Sequence, residues 1–258
     1  PRQREPPVYF EVYPMRSLLC LLTCLLLLGG CASKPKDPSG TWINQAAIDA
    51  AVESQHLREA LLAYGPNLEW NLNSARQQAT FSNGFELAEG QLSAQADGSW
   101  QVNFNAENNE VLKPQADLLI QQASAIWPEQ RFARPKVKVD AGAPVGSSFE
   151  YSLYDAFLAG NWKIRSGPGE GGLVIFHADG KLDGLPGAER FALCLAGDCA
   201  AMSGEYDSLW LQLGQEGNEW IFTRKGDQLQ IFEALNRAQS DEMPDLYPGS
   251  QRWLLERD

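Results

Sequence analysis

Along most of the chain the apolar residues recur at every second position. Leu68, Trp70 and Leu72 alternate with Glu69, Asn71 and Asn73, and Leu209, Leu211 and Leu213 alternate with Trp210 and Gln212. A period of two marks a strand with one face turned to a core. Asn83-Gly84, Asp97-Gly98, Asp179-Gly180 and Gly226-Asp227 stand between such runs, and these residue types accept the backbone of a tight hairpin turn. The pattern predicts strands over Gln91–Ala96, Ser99–Phe104, Asp117–Gln122, Leu173–His177, Phe191–Leu195, Ser208–Leu213, Glu219–Arg224 and Gln251–Glu256. One stretch breaks the alternation. Gln45–Tyr64 is alanine-rich and carries Ile48, Val52 and Leu61 on one helical stripe, with Asn44 placed to cap it and Gly65-Pro66 to end it. A single helix is expected there, with a second, short one over Phe149–Leu158. The fold class is therefore mainly β with one or two helices (α+β), built as two small antiparallel β barrel or sandwich units.

The two units read as a tandem repeat. Gly40-Thr41-Trp42 opens the first, and Gly160-Asn161-Trp162 repeats it 120 residues later, 162 less 42. Trp100 and Trp220 share that offset, as do Gly84 and Gly204. A rival register pairs Phe81–Gly84 with Phe176–Gly180 and makes the first-unit helix an insertion. The boundaries follow: a first unit at 40–133, a linker and short helix at 134–157 around Pro135, Pro144, Gly142 and Gly146, and a second unit at 158–258.

Charge narrows the partners. The net charge is −12, and phosphate backbones and anionic headgroups repel an acidic surface, so no nucleic acid is expected. The one strongly apolar run, Leu18–Cys31, follows Met15-Arg16 and is too short for a membrane span. It has the length of the apolar part of a signal peptide. Its end, Leu28-Gly29-Gly30-Cys31, resembles the lipobox of bacterial lipoproteins. That resemblance implies cleavage before Cys31, acylation of Cys31 and attachment to the membrane through that lipid. Ala32 rather than Asp after the cysteine implies the outer membrane, periplasmic face. Residues 1–14 then read as an upstream extension, 15–30 as signal peptide and 31–39 (with Pro35 and Pro38) as a tether. Removing residues 1–30 takes away Arg2, Arg4 and Arg16 with Glu5 and Glu11, a net +1, and leaves about −13. Outside a reducing compartment Cys194 and Cys199 are expected to form a disulfide. A redox or metal pair is the alternative, without the C-x-x-C spacing.

Leu158-Ala159-Gly160-Asn161-Trp162, the Phe176–Gly180 turn and the short alternating strands around Trp220 resemble the lipocalin-like (calycin) modules of bacterial lipoproteins. The resemblance implies an up-and-down barrel with Gly-x-Trp on its first strand and a late arginine, Arg252 or Arg257, over the indole of Trp162. It extends to Gly40 and Trp42 in the first unit. Trp162, Phe176 and Trp220 are the candidate ligand-lining residues. For catalysis the chain offers little: His56 and His177 are its histidines, and it carries no G-x-S-x-G, H-E-x-x-H or phosphate loop. No catalytic residue, metal or cofactor is assigned, and the protein is read as no enzyme. The function expected is that of a lipocalin-like, outer-membrane lipoprotein binding an apolar or amphipathic ligand. The alternative is an envelope assembly protein or inhibitor with filled cores, which meets an envelope protein partner through an exposed patch such as Trp210 with Tyr206.

Overall fold

The computed structural model describes residues 36–105, 108–125 and 127–258. The lipobox and Cys31 lie outside them. Two antiparallel eight-stranded sheets hold the alternating segments. The first comprises β1 (Gly40–Ile43), β2 (Glu69–Asn73), β3 (Gln78–Ser82), β4 (Leu87–Ala94), β5 (Trp100–Asn103), β6 (Asn109–Gln115), β7 (Leu118–Gln121) and β8 (Gln130–Ala133). It is a meander closed into a barrel, with β1 returning to β8 at Ile43 and Ala133. The second comprises β9 (Gly160–Ser166), β10 (Leu173–Phe176), β11 (Leu182–Asp183), β12 (Arg190–Leu193), β13 (Asp207–Leu213), β14 (Glu216–Lys225), β15 (Gln228–Asn236) and β16 (Leu246–Arg257). Here β16 pairs with β9, and the β11–β12 seam is held by one isolated bridge, Lys181 to Arg190, with Leu182 N–H donating to Glu189 O and Phe191 N–H to Gly180 O, both at 2.9 Å. The sheets confirm the mainly-β, two-barrel fold class.

Each barrel is locked at the junction of its first and last strands. The Trp42 Nε1–H donates to Pro38 O at 2.7 Å, and the Trp162 Nε1–H to Leu158 O at 2.9 Å. Both acceptors lie four residues upstream. Arg134, just past β8, lies 3.6 Å over the Trp42 ring, and Arg257, ending β16, lies 4.8 Å over Trp162. Such contacts contribute ~0.5–2 kcal/mol each. Arg252 sits beside Trp253 instead. The Gly-x-Trp glycines have φ of +108° at Gly40 and +127° at Gly160, a backbone region that side chains disfavour. Beyond the first strand the 120-residue offset fails. Trp100 is on the fifth strand of its barrel and Trp220 on the sixth of its own. The extra chain in the first unit is helical and lies between β1 and β2, where the second barrel has a short turn.

That helical insertion is two helices, not the single one expected: α1 (Gln45–Ser54) and α2 (Leu57–Tyr64). Asn44 caps α1 through Ala47 N–H at 3.2 Å, and Gln55 ends it in the left-handed conformation, φ 62°. The start of α2 is stabilised from afar. Asp207, at the head of β13, accepts Leu57 N–H at 3.0 Å and Arg58 N–H at 2.6 Å. The arrangement is reciprocal. Helix α3 (Ser147–Phe157), which leads into the second barrel, has no side-chain cap of its own. Its Phe149 N–H donates at 2.9 Å to Glu69, on β2 of the first barrel. Each barrel thus gives a buried carboxylate to a helix that belongs to the other. A fourth helix, α4 (Gly197–Ser203), joins β12 to β13.

The cores follow this exchange. One fills the first barrel with Trp42, Trp70, Leu72, Leu92, Leu112 and Phe132. The other fills the second barrel and runs without a break into Ile48 and Ala51 of α1, Leu57 and Leu61 of α2, and Phe149 and Leu153 of α3. The first barrel's helix pair is therefore buried against the second barrel's core. A polar network seals the adjoining end of the first barrel. Gln121 Oε1 accepts Asn67 Nδ2–H at 2.9 Å and Trp70 Nε1–H at 3.1 Å, while its Nε2–H donates to Glu110 at 3.0 Å.

Burial pushes Glu69, Glu110, Glu150, Asp207 and Glu219 above the usual carboxylate range. For Glu69 and Asp207 the helix N–H groups oppose the shift without cancelling it. The folded chain keeps protons at these sites that the unfolded chain releases. Their contribution is present in full below the unfolded value of ~4 and is lost as pH rises through the raised folded values. The exposed Asp37, Asp97 and Asp245 and the half-buried Asp179 are shifted down and act in the opposite sense, with their contribution complete by about pH 5. Urea midpoints are accordingly expected to fall between about pH 5 and pH 8, and the slope to flatten in Glu69→Gln; a midpoint rising over that range contradicts the assignment. Asp207→Ala should cost ~1–3 kcal/mol, because two helix N–H groups lose a buried acceptor.

Candidate functional site

The open end of the second barrel is where its regular pairing fails. β14 and β15 pair from Lys225 and Gln228 as far as Trp220 and Glu233, then part. Beyond that point Glu216–Glu219 pair only with β13, and Ala234–Asn236 only with β16. Register shifts at Ile231/Phe232 and Phe232/Ala234 bend β15 away, as bulges do. A cleft of 420 Å³ opens between the strands, with Trp220, Leu235 and Leu246 as its apolar walls and Glu219 and Glu233 at its sides. A recess of 190 Å³ adjoins it, lined by Leu211, Leu213, Trp220 and Trp253.

The inward face of β13 accounts for the gradient along this wall. Leu209 and Leu211 are buried, while Leu213 at the rim is 54% exposed. The Trp220 and Trp253 rings pack 5.0 Å apart between centroids, and Trp253 Nε1–H is held by Pro168 O at 3.2 Å. The arrangement is an aromatic floor, an aliphatic rim and flanking carboxylates. Apolar pockets with a few polar groups at the edge suit small amphipathic ligands.

Of the three residues expected to line a ligand cavity, Trp220 lines both of these openings. Trp162 and Phe176 sit elsewhere. They are fully buried, their rings 6.2 Å apart, and Phe176 packs on Phe191 at 5.1 Å. They belong to the filled interior, as in other small barrels whose side chains occupy the lumen. Trp253, Leu235 and Leu246 were missed by the sequence reading. Trp253 falls in the predicted Gln251–Glu256 strand, but Leu235 and Leu246 lie outside the predicted strands, and the splay that gathers them depends on a bulge that the pattern does not encode.

Cys194 and Cys199 are joined by a disulfide, S–S 2.06 Å, between the end of β12 and α4. Glu219 lies close to both sulfurs and accepts Ser208 Oγ–H at 2.5 Å. With the sulfurs bonded to each other, this group offers a metal no thiolate. His177 pairs with Asp183 at 2.7 Å on the β10–β11 hairpin. His56 precedes α2 and gives it no side-chain cap. Trp210 is 43% exposed, and Tyr206 is half-buried.

A depression of 510 Å³ lies on the first barrel among Asn71, Gln78, Thr80, Glu89 and Gln91, a polar outer wall. No described helix is long and apolar enough to cross a membrane. Comparison with protein-family models, with curated proteins and with solved structures returned no match. The short disulfide loop gives a prediction of its own: replacing Cys194 and Cys199 with serine should lower unfolding free energy by at most about 2 kcal/mol, read from urea unfolding.

Proposed function

We propose that this chain is a non-catalytic, lipocalin-like lipoprotein of the bacterial outer membrane, facing the periplasm, which binds an amphipathic ligand at the mouth of its second barrel. The observation that carries this reading is the cleft between β14 and β15, open to solvent and walled by Trp220, with the Trp220–Trp253 pair lining the recess beside it. Elsewhere the barrel interior is packed with side chains, so an apolar tail lies across the mouth rather than deep in the lumen. Glu219 and Glu233 on the walls favour a cationic or uncharged head over an anionic one. Acylated Cys31 supplies the anchor, and the segment to Ser39 holds the barrels off the bilayer.

The second reading, a protein acting through its surface on an envelope partner, draws on a different observation. Both lumens are filled and Trp210 stands out on the outer wall, 43% exposed.

Native mass spectrometry of the chain from Ala32 onward, exported to the periplasm without lipid, separates the two. The binding reading predicts a small-molecule adduct that survives gentle ionisation. It also predicts that dodecyltrimethylammonium below its micelle concentration shifts tryptophan emission more than dodecyl sulfate does, with at least tenfold weaker binding in Trp220→Ala, ~1.4 kcal/mol. A bare mass and no response to either amphiphile overturn it in favour of the surface reading. For the anchor, Cys31→Ser should move the full-length protein from the membrane fraction to the soluble one; retention in the membrane contradicts the lipid attachment.

A further inference from the structure

A second cleft, on the outer wall of the second barrel, has the composition of a recognition site. One side is a single stripe of α3: Ser147, Glu150, Tyr151 and Tyr154 all line it, and their spacing of three, four and seven places them on one helix face. The other side is two rungs of the sheet, Arg190 opposite Gln212 and Ala192 opposite Trp210. The Asp179-Gly180 turn closes one end. The volume is 210 Å³.

The groups facing this space are poorly used by the protein itself. Glu150 is half-buried, and among the described residues its carboxylate has no hydrogen-bond donor. Its neighbour Glu69 is satisfied by the N-terminal N–H groups of α3, so the two carboxylates repel and only one is stabilised. Arg190 is exposed and makes one long bond, 3.4 Å, to Asp179 O. Asp179 is already held by Lys181 at 3.0 Å. Trp210 lies against Gly217, where an added Cβ would come within 2.2 Å of the indole Nε1. A glycine there lets the ring rest on the backbone, while Trp210 stays 43% exposed. Tyr154 anchors the floor, its hydroxyl accepting Leu193 N–H at 3.3 Å and its ring packed on Phe191 at 4.9 Å.

We propose that this cleft binds a pyranose sugar, with the ring stacked on Trp210 and its hydroxyls shared between Glu150 and Arg190. A sugar ring has one apolar face for the indole and a rim of hydroxyls that both donate and accept. It therefore supplies a donor to Glu150 and an acceptor to Arg190 while carrying no charge into a site that has both signs. Its size matches the space. The site is independent of the barrel mouth, since Trp210 and Gln212 face outward while Leu209 and Leu211 face the core.

The test uses the full chain from Ala32 and the methyl glycosides of glucose, galactose, mannose and N-acetylglucosamine, titrated to about 10 mM, ten times a ~1 mM Kd. At least one glycoside should change tryptophan emission, with the response lost in Trp210→Ala and weakened at least tenfold in Glu150→Gln and in Gly217→Ala, which tilts the ring. Glu150→Gln should meanwhile raise the urea midpoint at neutral pH, because it removes the unpartnered charge beside Glu69. Weaker binding with a higher midpoint is a result that misfolding cannot produce. No response to any glycoside, or a response unchanged in Trp210→Ala and Glu150→Gln, overturns the proposal. So does binding of free alanine in place of the sugars, which would make the cleft a site for zwitterions.

Discussion

Two buried carboxylates determine how this molecule is put together. Glu69 leaves the wall of the first barrel to accept the first N–H groups of α3, and Asp207 leaves the second to accept those of α2. A helix start has N–H groups without partners inside the helix, and burial makes their neglect costly. Neither helix has a capping side chain at its own N-cap. The helices are therefore complete only when both barrels are present. The continuous core through Ile48, Leu57, Phe149 and Leu153 gives the same constraint in apolar terms. Two barrels joined only by the linker at 134–146 would be free to move. Two barrels that cap each other's helices and share a core hold one arrangement.

This constraint decides where chemistry is available. Helices α1 to α3 cover one side of the second barrel's core, and the first barrel's adjoining end is sealed by Asn67, Gln121 and Glu110. Openings remain at the parted ends of β14 and β15, along the outer face of α3 and, at the junction itself, between α2 and α4. The buried carboxylates have a cost at neutral pH, since burial holds each above its ordinary range. Glu69 and Asp207 recover part of it through helix N–H groups. Among the described residues Glu150 recovers none, and it lines the cleft beside Trp210.

The strands were legible because their signals are local. Asn83-Gly84 and Asp97-Gly98 mark turns by backbone preference alone, and Leu209, Leu211 and Leu213 show one face by period. The Gly-x-Trp pair was legible for the same reason, as a short motif with a steric requirement at its glycine. The break at Gln55 was not, since the alanine-rich stretch favours one helix and the interruption is stabilised by Asp207, 150 residues away from Leu57. Trp220 was found as an aromatic on a strand, yet its partner Trp253 and the cleft beside it depend on a bulge in β15. The match of Trp100 to Trp220 was a coincidence of spacing, which strand order exposes. Long-range caps and bulges leave no periodic trace.

Native-state hydrogen exchange followed by mass spectrometry tests the interlock most directly. Peptides from β2 to β8 and from β13 to β16 report the two barrels separately. If the barrels interlock, the slowest amides of both open with one common free energy, and Asp207→Ala lowers that value in both barrels together. A first barrel that exchanges at its own lower free energy, unmoved by Asp207→Ala, would contradict the interlock: the barrels would then be independent domains and the reciprocal caps incidental.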